Sequence, residues 1–123
     1  MKTMTNEEIY LCSVGLQKAF NDESQKLPIK INFYLQKNKN LLASLAADIE
    51  EERMTIIRNN GTMTEDGQGF TIDQDKIDEA VKELNDLLAL SQELNIYTIS
   101  IDSLPEDLNL TTAQMEALMF MIE

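Results

Sequence analysis

Histidine and tryptophan are absent from the 123 residues, and cysteine occurs once, at Cys12. Without histidine, the common zinc sites and the histidine-based nucleophile triads cannot be assembled. A single thiol makes neither an internal disulfide nor a cysteine-based metal cage, so a reducing cytosol is the expected compartment. The four glycines are too scattered to form a phosphate-cradling loop. No run of eighteen apolar residues exists to cross a membrane as a helix. The start of the chain carries Glu7 and Glu8 ahead of its apolar part, whereas a secretory signal is basic and then continuously apolar; none is expected.

Positive charge is also scarce, and unevenly so. Residues 1–61 hold eight basic and eight acidic side chains; residues 62–123 hold two basic (Lys76, Lys82) and fourteen acidic ones, which account for the whole net charge of −12. Such a field disfavours direct binding to nucleic acid, where affinity comes from Lys and Arg displacing counterions. It serves solubility, or it presents an acidic face to a basic protein.

What is present is a long helical signal. From Leu27 to Gly61, Ile31, Leu35, Leu42, Leu45, Ile49 and Ile56 recur at alternating steps of four and three, with Asn38 and Glu52 filling the missing steps. This predicts a helix over about 29–60. Ile29, Ile31, Phe33 and Leu35 also alternate, so residues 29–35 have a strand reading, but the in-phase continuation through Ile49 favours the helix. Asn38 is expected to be a satisfied core or surface amide, although a polar seam residue can also fix the register between associating helices. Glu50 and Arg53, three apart, are expected to pair. Arg58 and Gly61 supply a cationic last turn and a stop.

The other elements are shorter. Thr5 and Glu8 have capping-box spacing ahead of a first helix carrying Ile9, Cys12, Leu16 and Phe20 and ending around Asn21–Ser24. Asp66-Gly67 predicts a hairpin over 62–72 with Met63, Phe70 and Ile72 inward. A calcium loop drawing on Asp66, Asp73, Asp75 and Asp78 lacks the required Asp-x-Asp-x-Asp-Gly order and closing Glu, so no metal is expected. Asp73 is expected to cap a third helix with Ile77, Val81, Leu84, Leu88 and Ser91 as its buried stripe, widened by Ala80, Leu87 and Leu94. Residues 96–102 alternate and are β-branched, which predicts a strand with Tyr97, Ile99 and Ile101 facing the core and stopped by residues 104–107. Thr111 and Gln114 repeat the capping-box spacing before a last helix through Ile122. The expected fold is a single α+β domain, 1–123, of four helices, one of them long and central, with a small antiparallel sheet made of the hairpin and the 96–102 strand.

Leu27-Pro28-x-Lys30, Phe33-Tyr34, Lys37-Asn38 and Glu50-Glu51-Glu52-Arg53, together with the closing Leu-Thr-Thr-Ala-Gln-Met-Glu-Ala-Leu stretch, resemble a family of short phage and prophage proteins known as a domain of unknown function. The resemblance implies a phage origin and a host-cytoplasmic setting. It brings no catalytic residue.

Carboxylates spread over helix faces and turns are not the separated pair that acid–base catalysis requires, so no enzyme, catalytic residue or cofactor is expected. The expected function is protein–protein binding, with Asp75, Asp78, Glu79, Glu83 and Asp86 as the contact face and a basic nucleic-acid-handling protein as the partner, which the chain would inhibit. The alternative is a small oligomeric assembly or virion component associating through the long helix and the apolar Met119-Phe120-Met121-Ile122 tail, with Ile31, Leu35, Leu42 and Ile49 as the core or the self-association seam.

Overall fold

The computed structural model describes residues 1–20, 27–105 and 108–123. Strand β1 (Lys2–Thr5) leads directly into helix α1 (Asn6–Ala19), then come the long helix α2 (Ile29–Asn59), the hairpin strands β2 (Gly61–Met63) and β3 (Phe70–Ile72), helix α3 (Ile77–Ala89), strand β4 (Ser91–Leu94) and helix α4 (Thr112–Leu118). Single 3-10 turns precede α3 at Gln74–Lys76, follow α4 at Met119–Met121 and occupy Ile101–Ser103. The α+β class, the four helices and the long central helix are as expected.

Helix α2 runs for 31 residues, about 46 Å at 1.5 Å per residue. Its seam is buried at Ile31, Leu35, Asn38, Leu42 and Ile49, and these apolar side chains join Met4, Ile9, Leu16, Leu94, Ile99, Leu118 and Met121 in one core. The seam therefore faces this chain's own interior, as its core reading expects. Helix α1 packs mainly along α2 and also meets α3 and α4. Both predicted capping boxes are formed: the Thr5 hydroxyl accepts the Glu8 N–H while the Glu8 side chain accepts the Thr5 N–H, and Thr111 and Gln114 do the same. Phe20 caps α1 after Ala19; the end expected at Asn21–Ser24 lies outside the described residues.

The strands differ from expectation. Two separate two-stranded sheets form: β2 pairs with β3 in the hairpin, and β1 pairs antiparallel with β4, Lys2 opposite Leu94 and Thr5 opposite Ser91. Residues 96–102 do not form the expected strand. Their one ladder contact is an isolated parallel bridge of Ile99 with Ile122, where the Ile99 N–H donates to Met121 O and the Glu123 N–H to Ile99 O. Tyr97 cannot pair with a neighbouring strand because its peptide is already held by a side chain of α2: the Tyr97 N–H donates to Asn38 Oδ1 and Asn38 Nδ2 donates to Tyr97 O. Ile99 is buried as expected, whereas Tyr97 and Ile101 are exposed, because Ile101 opens a 3-10 turn and breaks the alternation. Of the residues expected to stop the segment, 106 and 107 lie outside the described residues.

In the hairpin, Asp66 and Gly67 sit within a six-residue loop, not at the centre of a two-residue turn. Gly67 adopts φ +73°, its N–H donates to Thr64 O, and the Thr64 N–H donates to Gly69 O. Phe70 and Ile72 are half-buried, but Met63 is exposed. Gly61 is where the chain turns out of α2: a Cβ there would lie 2.8 Å from both Ile57 O and Thr71 O. That approach admits only glycine.

Candidate interaction surface

The five carboxylates singled out from the sequence lie together. Asp75 is in the 3-10 turn before α3, and Asp78, Glu79, Glu83 and Asp86 are on the helix itself. All but the half-buried Glu83 are exposed. The one ion pair among the described residues is elsewhere, between Arg53 and Glu50. The α3 carboxylates thus carry their charge into solvent without a partner.

The helix is rotated from the expected orientation. Its inward residues are Ala80, which is fully buried, and the half-buried Leu84, Leu87 and Leu88, whereas Ile77 and Val81 are 43% and 49% exposed. The cause is at the far end of α3, where buried Asn6 ties it to α1. Asn6 Nδ2 donates to Leu87 O, the Asn6 N–H donates to Leu90 O, and Gln92 Nε2 donates to Asn6 Oδ1. These bonds set the rotation of the last turn and direct Leu87 inward. Ser91 and Leu94, read as part of the stripe, belong to β4. Asp73 does not cap the helix. Its Oδ1 accepts from the Thr62 hydroxyl at 2.8 Å, and α3 starts through the 3-10 turn without a side-chain cap.

The exposed side of α3 is therefore mixed. Ile77 and Val81, four residues apart, form an apolar edge beside Asp78 and Glu79, which the sequence pattern had assigned to the interior.

A second exposed cluster has the opposite sign. Residues 27–47 contain Lys30, Lys37 and Lys39 and no acidic residue. Here Tyr34 stacks on Tyr97 with ring centroids 5.1 Å apart, Phe33 meets Tyr97 edge-on at 6.4 Å, Lys30 Nζ lies 5.6 Å from the Tyr34 ring and Lys37 Nζ 5.4 Å from the Phe33 ring. These contacts clamp the chain around Tyr97 onto α2 beside the Asn38 amide. The cluster joins positions far apart in sequence, so periodicity could not reveal it.

Elsewhere the carboxylates are used locally. Asp66 Oδ1 accepts from the Thr64 hydroxyl and the Gln68 N–H, which hold its pKa below the usual carboxylate range. Glu50 is likewise held low, chiefly by hydrogen bonds from Arg53. Burial pushes the Cys12 thiol up, with Lys2 opposing and Glu8 adding to the shift. No group of three or more Cys, Asp or Glu side chains converges on a metal-sized site among the described residues, and no described helix is long and apolar enough to cross a membrane. No protein-family profile, curated protein or solved structure matches this chain.

Proposed function

We propose that this chain acts by protein–protein contact through α3, docking on a basic surface of a nucleic-acid-handling protein and occluding it. The observation that carries this reading is the mixed surface of α3. Carboxylates at Asp75, Asp78, Glu79 and Asp86 face solvent without ion-pair partners, and the apolar edge of Ile77 and Val81 runs beside them. A face serving solvation alone has no use for that edge; a docking face does, since interfaces combine apolar contact with charges that steer association. The resemblance to short phage and prophage proteins supports a setting in the host cytoplasm, where such an acidic protein would meet DNA- or RNA-processing enzymes.

The test is capture from bacterial lysate by the immobilised protein at low and high salt, beside a variant in which Asp78, Glu79 and Glu83 are all changed to Lys. The expected result is a basic nucleic-acid-binding protein retained at low salt, released at high salt and not retained by the variant, whose thermal unfolding stays close to that of the parent. Retention of the same protein by the triple variant overturns the reading.

A further inference from the structure

We propose that Asn60-Gly61 is a self-modification site which the fold keeps closed, so that a chain left unfolded loses its side-chain amide there and with it the ability to refold. Of the asparagines in the chain, Asn60 alone is followed by glycine. That order is the reactive one, because a glycine nitrogen has no side chain beside it to shield it. The Gly61 nitrogen, on losing its proton to base, attacks Asn60 Cγ; the bond from Cγ to Nδ2 breaks and ammonia leaves. Water then opens the five-membered imide at either carbonyl. The product is aspartate or, with the main chain rerouted through the side chain, isoaspartate. Water is the co-reactant, and nothing is oxidised or reduced.

The fold needs both residues. Asn60 ends α2, where its Nδ2 donates to Ile56 O at 2.9 Å and its N–H points to Ile56 O and Ile57 O. Its carbonyl accepts the Asp73 N–H at 2.9 Å, which ties the far end of the hairpin to the helix. Gly61 cannot become alanine without a Cβ 2.8 Å from two carbonyl oxygens. The same contacts block the reaction. Asn60 is 4% exposed and its amide is engaged. Its ψ of 11° turns the Gly61 nitrogen toward Asn60's own nitrogen, away from the side-chain carbon that it must reach. Attack waits until the end of α2 and the hairpin separate, by local or global opening.

Neither product fits the closed form. An aspartate at position 60 has no N–H for Ile56 O, and it sets a negative charge against the carbonyl end of a 31-residue helix, where the helix dipole repels anions. An isoaspartate lengthens the main chain by a methylene. The bond from the Asp73 N–H and the narrow passage of Gly61 between Ile57 O and Thr71 O then cannot be kept together. The reaction therefore withdraws unfolded chains from the folding equilibrium irreversibly. Time spent unfolded is recorded at one residue.

The test holds the protein in mildly alkaline buffer with and without urea, digests samples at intervals and follows the peptide containing residue 60 by mass. Fragmentation assigns the change from amide to acid, and that change separates this site from isomerisation at Asp66-Gly67, which leaves the mass unaltered. Conversion should be about tenfold or more slower in the folded protein, in line with an opening equilibrium that lies toward the closed form. On dilution from urea, the refolded fraction should fall in step with conversion, and the converted chains should collect in the unfolded fraction. Asn60→Gln, whose longer side chain closes a ring far more slowly, should keep a constant refolding yield over the same period. If this variant does not fold, the two measurements on the unaltered protein decide the matter alone. Equal conversion with and without urea overturns the proposal, as does recovery of converted chains among the refolded ones in proportion to their abundance.

Discussion

Asn38 holds the peptide of Tyr97 from both sides, its Oδ1 accepting the Tyr97 N–H and its Nδ2 donating to the Tyr97 carbonyl, each at 2.8 Å. One side-chain amide thus does for this segment what a neighbouring strand would do. The buried polar position in an otherwise apolar seam is the anchor for the return of the chain over α2.

Replacing Asn38 with Leu should cost about 2 kcal/mol, because it leaves the Tyr97 N–H and carbonyl without partners. Asn38→Asp keeps the acceptor, loses the donor and buries a charge. Its folded-state pKa would be raised above the unfolded value, so the deficit should shrink as pH falls and the carboxyl protonates. Urea unfolding of both variants at neutral and acidic pH checks this; an Asn38→Leu variant as stable as the parent would refute the anchoring role.

Gly61→Ala should be more damaging than Gly67→Ala. At Gly61 the new Cβ collides with two backbone carbonyls that cannot move independently, with an expected cost of about 1–3 kcal/mol. At Gly67 the space is open and the cost is that of a left-handed conformation, about 1 kcal/mol. Paired thermal melts decide the order.

The Glu50–Arg53 pair makes a small pH-dependent contribution. The hydrogen bonds from Arg53 lower the folded-state pKa of Glu50, so the stabilisation is present above the ordinary glutamate range and is lost as pH falls through the lowered value. Both groups are well exposed, so Glu50→Gln should cost no more than about 0.5 kcal/mol at neutral pH and less in salt. Denaturation midpoints at two ionic strengths measure it.

Cys12 should label slowly at neutral pH, since its half-buried thiol ionises above the ordinary range. The sign for stability follows. The unfolded chain loses the thiol proton first, so this group contributes stability at neutral pH that declines as pH rises through the alkaline range. Alkylation rates in folded and urea-unfolded protein, followed against pH, should show the folded rate rising at higher pH.

The long helix was legible because burial follows period 3.6, and Ile31, Leu35, Leu42 and Ile49 keep that period through five buried steps including Asn38. The two capping boxes were legible because they are local. The sheet joining Lys2–Thr5 to Ser91–Leu94 was not: neither four-residue stretch carries a strong β-forming pattern, and the pairing is decided by how Asn6 seats α1 against the end of α3. The best strand pattern, residues 96–102, was overridden by the Asn38 amide and the turn at Ile101. The acidic residues of the candidate surface stood out from composition. Their neighbours Ile77 and Val81 did not, because the rotation of a helix is set by its distant contacts and not by its own sequence.

The bridge from Ile99 to Ile122 has a consequence for biosynthesis. Helix α2 leaves the ribosome early, yet the core it completes includes Leu118 and Met121, and Lys2 bonds to Phe120 O. The nascent chain therefore carries an apolar seam covered only in part, by α1, until the residues around α4 emerge. Closure of the core joins positions more than a hundred residues apart, a topology that slows folding. Excess acidic charge in the later half of the chain opposes association between such half-covered chains, so the −12 has a use during synthesis as well as in the folded molecule.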